Sequence, residues 1–172
     1  MSSEIGERVA IVVGAGGELG RATAAALAGS GYAVVGVDRN EQGLKELPDG
    51  IRRQPGDATD PAAAKSVVDQ IAAEVGPPEV LVNTIGMYHL GDALSATPDD
   101  LQLMIDVNVG PALWLTQAVV PYMRERGSGA IVHVTARPSA AQRTACSVQS
   151  PSREFAVSSA EPKSTLRSFF VM

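Results

Sequence analysis

The sequence predicts an α/β fold, a doubly wound parallel sheet with helices on both faces, missing its C-terminal strands. Three observations carry that expectation. Residues 9–20 read VAIVVGAGGELG, a continuous apolar run that feeds into a glycine-rich loop and then into Ala-rich, helix-forming sequence. Beyond it, short apolar runs alternate with segments of helical periodicity as far as residue 134. From Arg137 the texture changes to Ser, Arg, Pro and Gln, with Pro138, Pro151 and Pro162 breaking what apolar pattern remains. No ordinary strand–helix unit is expected in that last part.

The elements follow in order. The first strand is placed at residues 8–13, whose unbroken apolar character suits burial on both faces of a parallel sheet. The first helix is placed at residues 18–29, its end bracketed by Gly29 and Gly31. A second strand at 32–37 leads to Asp38. Residues 40–47 give a short helical turn stopped by Pro48, and 51–54 a weak third strand. Asp60 is the expected cap of the next helix, with Pro61 in its first turn. Ala64, Val67, Val68, Ile71, Ala72 and Val75 then recur at helical spacing, and Gly76-Pro77-Pro78 ends the run. The fourth strand lies at 80–82. Thr97-Pro98-Asp99-Asp100 is a strong helix start: a capping hydroxyl, a proline at the first position, and acids where the helix end is partly positive. That helix is expected to run to Arg126 with an interruption near Gly110-Pro111. The fifth strand covers 130–134.

Composition narrows the function. At 172 residues the chain is read as one domain of 1–136 with a divergent tail, 137–172, either out of frame or poorly ordered. A net charge of −5 gives no electrostatic support to nucleic-acid or anionic-membrane partners. One cysteine, Cys146, allows no internal disulfide. No apolar stretch precedes Val9, and no apolar run approaches the ~20 residues of a bilayer span. A cytoplasmic protein is expected.

The glycine loop points to chemistry. Gly14 permits a tight turn off the strand. Gly16 or Gly17 lets backbone N–H groups approach a pyrophosphate, and Gly20 lets the helix pack close to the sheet. A bound anion then rests on the helix N-terminus. Asp38 comes 18 residues after Gly20, at the end of the second apolar run, where an acid accepts the ribose hydroxyls of an adenosine. Arg39 beside it could meet a 2′-phosphate, which Asp38 would repel, so NAD is favoured over NADP.

With these residues in view, the chain resembles the short-chain dehydrogenase/reductase family over residues 7–136. The loop Gly14, Gly16, Gly17, Glu18, Leu19, Gly20 is similar to the family's cofactor loop, although the family's middle glycine falls on Glu18 and Gly17 matches its extended branch. Asp38 looks like the NAD-selecting acid. Asp57-Ala58 looks like the pair that holds adenine. Leu81-Val82-Asn83-Thr84-Ile85-Gly86 resembles the family's LVNNAG segment, which supports the central sheet beside the cofactor, so Asn83, Ile85 and Gly86 join the candidate site. Asn108 matches the helix asparagine of the catalytic tetrad. The resemblance implies a Rossmann sheet and a nicotinamide cofactor. It also implies hydride transfer with a small hydroxyl or carbonyl substrate, and a homo-oligomer formed through the long helix at 98–126.

The rest of the tetrad is missing. The family uses a Tyr as proton donor and acceptor, a Lys four residues later and a Ser thirteen residues earlier. Counted from the fifth strand, the Ser position falls on Ala136 and the Tyr and Lys positions on Gln149 and Arg153. Gln149 has no titratable proton, and Arg153 does not replace a phenol. Impaired oxidoreductase activity is therefore expected; the alternative is a relic that binds cofactor or a partner without catalysis, and whether the chain is an enzyme stays open. A reading-frame shift near 137–145 accounts for the changed texture and the lost tetrad together. With Ser147 in an AGY codon, Ala145 to Gln149 read one base along permit Ala-Ala-Tyr. His89, His133 and Cys146 have no ligand-spaced partners and read as structural. Trp114 and Leu115 read as core or subunit-interface packing.

Overall fold

A computed structural model of the chain describes residues 8–87 and 94–134, together with the backbone of 165–171. Its order is β1 (Val9–Val13), α1 (Glu18–Gly29), β2 (Ala33–Asp38), α2 (Glu41–Leu44), β3 (Arg52–Pro55), α3 (Pro61–Glu74), β4 (Pro78–Asn83), α4 (Pro98–Asn108), α5 (Gly110–Arg126), β5 (Ser128–Val134) and β6 (Thr165–Val171). The strands form one sheet in the order β3-β2-β1-β4-β5-β6, and every pairing is parallel.

The expected caps form. Asp60 accepts from the Ala63 amide at 2.7 Å, and Thr97 and Asp100 complete a reciprocal capping box, which satisfies first-turn donors that a helix leaves unpaired. The long helix divides at Val109, where α4 ends and α5 begins with Gly110 and Pro111 in its first turn. β4 and β5 begin two residues before the sequence reading and β4 ends one later, because ladder bonds continue into residues with weak apolar character, whereas β2 and β3 are shifted by one residue and β1 begins one later.

One strand goes beyond the sequence reading. β6 lies beside β5 with Ser128 opposite Thr165 and Val134 opposite Val171. TLRSFFV has strand-forming residues, but the Pro- and Ser-rich sequence before it hides them from a pattern search.

Alternation along the buried strands sends side chains to two faces. Val9, Ile11, Val13, Val35, Val37, Leu81 and Ile131 pack with α3 and α5. Ala10, Val12, Val34 and Val82 pack with α1 and the segment from Leu44 to Ile51. All five residues of β1 are fully buried, as the unbroken apolar run requires.

α5 buries Leu115, Ala118, Val119 and Met123 against the sheet, whereas α4 buries none of its residues. Leu101, Leu103, Ile105, Val109 and Leu113 are exposed. The expectation that nothing approaches a bilayer span is corrected here. Pro98–Arg126 is 29 residues long with a mean hydropathy of 1.3 in its most apolar part, enough by length and composition alone. A search for uninterrupted apolar runs misses it because Asp106 and Asn108 divide the sequence.

The amino ends of the strands are tied by charge. Glu79 at the start of β4 accepts from Arg8 Nη2 at 2.9 Å and from Arg126 Nη2 at 2.8 Å. The Arg8 guanidinium also lies 4.2 Å from the centroid of the Tyr32 ring, a cation–π contact.

Candidate functional site

The chain runs outward from β1 through β2 to β3, then crosses back to β4 on the other side of β1. A sheet wound in this way leaves a crevice at the carboxyl ends of the two strands where the direction reverses. Gly14 follows β1 and Thr84 follows β4, so they face each other across it. The Thr84 amide and hydroxyl both donate to the Val13 carbonyl, each at 2.8 Å. Gly14 sits at φ +84°, and a Cβ there would lie 2.6 Å from Thr84 Oγ1. Both the backbone conformation and the close approach require glycine. At Gly20 a Cβ would lie 2.1 Å from the Gly14 carbonyl oxygen, so α1 crosses the loop at a distance that only glycine allows.

The loop amides divide into two groups. The Gly16 amide donates to Asp38 Oδ2 at 2.9 Å, and that of Gly17 to the Gly14 carbonyl at 3.1 Å. Gly17 caps α1 without a side-chain acceptor, and the first helical bond runs from Arg21 to Gly17. The amides of Glu18, Leu19 and Gly20 therefore open the helix and are donors available to an anion. The sequence reading gave Gly16 or Gly17 the role of letting backbone N–H groups approach a pyrophosphate, and Gly17 lines the groove beside this open turn.

Asp38 ends β2 with both carboxylate oxygens in use, since Oδ1 accepts from the Asn40 amide at 2.8 Å. Each oxygen keeps a further lone pair for a hydroxyl donor. Asp57 Oδ1 accepts from the Thr59 hydroxyl at 2.7 Å and the Thr59 amide at 2.9 Å, and Arg39 Nη1 lies 3.8 Å from Oδ2. The Thr59 hydroxyl, then its amide and Arg39 hold the Asp57 carboxyl below the usual carboxylate range. Ala58 is buried in the core beneath them.

On the β4 side, Asn83 is buried and its Oδ1 accepts from the Ile85 amide at 3.0 Å, which turns the backbone after the strand. Asn108, at the end of α4, donates to the Met104 carbonyl at 2.9 Å and accepts from the Met87 amide at 3.0 Å. It thereby ties the turn after β4 to the helix.

These pieces enclose a groove of about 220 Å³, lined by Gly14, Gly17, Asp38, Arg39, Gly56, Asp57, Ala58, Thr59, Thr84, Ile85, Gly86 and Val107. The sequence-predicted Gly16, Glu18, Leu19, Gly20, Asn83 and Asn108 stand around or beneath this lining. Val107, Thr59 and Gly56 were not singled out by the sequence. Thr59 had one signal, its place two residues after Asp57, where a hydroxyl closes a turn on a carboxylate. Ala136, Gln149 and Arg153, and with them His89 and Cys146, lie outside the described residues.

A sequence profile of the short chain dehydrogenase family matches residues 8–158. The chain belongs to the short chain dehydrogenase family. It is 38% identical over 138 residues to a short chain dehydrogenase from Pseudocercospora fijiensis, covering 74% of this chain and 44% of that protein. It is 37% identical over 146 residues to the short-chain reductase NovJ from Streptomyces niveus, covering 79% and 56%. The crystal structure of a short-chain dehydrogenase from Streptomyces avermitilis superposes with a TM-score of 0.69 at 33% identity, covering 74% of this chain and 49% of that one. The chain thus spans about half the length of the relatives it matches. Short chain dehydrogenases are oxidoreductases that generally bind NAD(P). The glycine-limited loop, the open first turn of α1 and the acids ending β2 and following β3 fit the adenosine and diphosphate portion of such a cofactor.

Proposed function

We propose that this short chain dehydrogenase holds NAD(H) in the groove above β1 and β4, with NADP the weaker ligand. The observation that carries the reading is the placement of Asp38 beside Gly16 at one end of a groove that continues to Ile85 and Gly86. Asp38 accepts the ribose hydroxyls, Ala58 and Asp57 flank the adenine, and the amides of Glu18 and Leu19 receive the diphosphate. Arg39 leans toward Asp57, 3.8 Å away, and a 2′-phosphate there would meet the Asp38 carboxylate. When bound, the cofactor supplies or accepts hydride, with a small hydroxyl or carbonyl compound as the other reactant.

This chain's own contribution to the proton side of that reaction is weak. Of the four tetrad positions, Asn108 keeps its residue, whereas Ala136, Gln149 and Arg153 stand where the family has Ser, Tyr and Lys. Without a phenol, no group at those positions exchanges a proton with the carbinol oxygen. Impaired hydride transfer follows, and a relic that binds cofactor or a partner without turnover is the second reading, favoured by the same three replacements. Divergence in frame and a frameshift near residues 137–145 both account for the three replacements. Sequencing the gene across codons 135–172 decides between them, since a frameshift requires a Tyr-x-x-x-Lys in a shifted frame. The exposed apolar side of α4 and α5 supports a homo-oligomer, and we place the chain in the cytoplasm.

Titration with NADH, followed by fluorescence and thermal shift, tests the main reading. Saturable binding that weakens in Asp38→Ala is the expected result. Absence of binding by the folded wild-type chain overturns it. Stoichiometric binding without turnover of carbonyl substrates selects the relic.

A further inference from the structure

We infer that His133 is a positioning residue for the groove, holding the turn after β4 in shape through a directed chain of hydrogen bonds; the link to nucleotide binding rests on the reading just given. Asn83 and His133 are the buried polar side chains among the described residues, 1% and 2% exposed. They are register partners on β4 and β5, so their side chains share one face of the sheet. The Thr116 hydroxyl on α5 donates to the Ala112 carbonyl at 2.7 Å, which leaves its oxygen as an acceptor toward His133 Nε2, 3.0 Å away. On the other side of the ring, Nδ1 is 3.4 Å from Asn83 Nδ2. The Asn83 amide is oriented by its Oδ1, which accepts from the Ile85 amide at 3.0 Å, so Nδ2 is the donor and His133 Nδ1 the acceptor.

These contacts assign the hydrogens shared between Thr116, His133 and Asn83. The ring is neutral and carries its proton on Nε2. Its Nδ1 is what a buried amide N–H₂ on β4 needs, and the amide in turn fixes the backbone from Asn83 to Ile85. Ile85 and Gly86 line the groove. Removing the acceptor at Nδ1 leaves the Asn83 amide unpaired in the core and frees it to turn away from Ile85.

The test begins on the free protein. Nitrogen-15 NMR of the histidine rings, with His89→Gln to assign the two signals, reads the tautomer of His133. Hydrogen exchange reads the Ile85 amide in wild type, His133→Leu and Thr116→Val. NADH titration of the same proteins reads the groove. The expected result is an Nε2-protonated ring, faster Ile85 exchange in both variants, and NADH binding weakened about tenfold in both. Thr116→Val keeps the shape of the residue and the ring itself, so it carries the test if His133→Leu fails to fold. An Nδ1-protonated ring, unchanged Ile85 exchange, or altered exchange with unchanged NADH affinity each overturns the inference. If wild type binds no NADH while the tautomer and Ile85 exchange behave as expected, the positioning of the turn stands and the nucleotide reading falls.

Discussion

Asp38 Oδ2 accepts a hydrogen bond from the Gly16 amide at 2.9 Å, so the carboxylate that ends β2 and the glycine loop that follows β1 form one unit. The same side chain receives the Asn40 amide at 2.8 Å and thereby sets the start of α2. The residue proposed to read the ribose also shapes the glycine loop beside it. Replacing it alters two parts of the groove together.

Asp38→Ala is therefore expected to do more than delete a ribose contact. Two charge-assisted bonds to backbone amides are lost, which costs about 1 to 3 kcal/mol of folding stability. Urea denaturation reads that loss, and NADH affinity should fall at least about tenfold. Unchanged stability would show that solvent replaces the carboxylate at both amides.

Gly20→Ala and Gly29→Ala make a matched pair on the same helix. A Cβ at Gly20 would lie 2.1 Å from a backbone oxygen, whereas one at Gly29 meets nothing within 4 Å. The first substitution should cost about 3 kcal/mol or more by forcing α1 away from the loop. The second should be neutral or stabilise by about 0.5 kcal/mol through reduced backbone freedom in the unfolded chain. Thermal melting of the two variants checks the contrast.

Glu18 places a carboxylate at the first position of α1, next to the amides proposed to receive the diphosphate. At ~4 Å in water, two like unit charges repel by about 1 kcal/mol. Glu18→Gln should tighten NADH about threefold to fivefold at low salt, with the gain shrinking as salt rises. The same change removes a favourable acid from a helix N-terminus and should lower the melting temperature slightly. Opposite signs for affinity and stability distinguish this from a general loosening of the fold.

Burial pushes the His133 imidazole below its usual value of 6.5. The unfolded chain then binds the proton more readily than the folded one, so stability is complete above the unfolded value and is lost as pH falls below it. Melting temperature should decline from about pH 7 to about pH 5, and His133→Asn should flatten that part of the profile. A wild-type profile that is level across this range would contradict a neutral, buried ring.

Ile105 and Leu113 lie on the apolar side of α4 and α5 left uncovered by the sheet. If a second copy covers that side, Ile105→Asp with Leu113→Asp should yield monomers by light scattering while the melt stays cooperative. A wild-type chain that is already monomeric removes this part of the proposal.

The sequence carried most of this architecture because its signals were local. α1 runs over the residues expected from the glycine loop and the Ala-rich run, and Asp60 and Thr97 cap their helices through side chains three residues from the amides they accept. Asp38 and Asp57 were legible because each follows an apolar run at a strand end. Val107 was not, since its place in the groove depends on how the end of α4 meets the turn after β4. The Asn83–His133–Thr116 chain was equally hidden. Its members come from three elements, and His133 alone looks like any buried histidine. β6 escaped because its pairing with β5 is a long-range contact that no neighbouring residue announces.

The strands carry different burdens at their two ends. Where they begin, Glu79 is shared by Arg8 and Arg126, binding β1, β4 and the end of α5 into one tie. Where they finish, the groove depends on side chains that contribute little to that tie. Selection on the reaction can then relax without selection on the architecture following it. A lineage could exchange the residues that handle a proton, generation after generation, and still inherit a well-formed sheet. Persistence of a scaffold is thus no measure of whether its chemistry is in use.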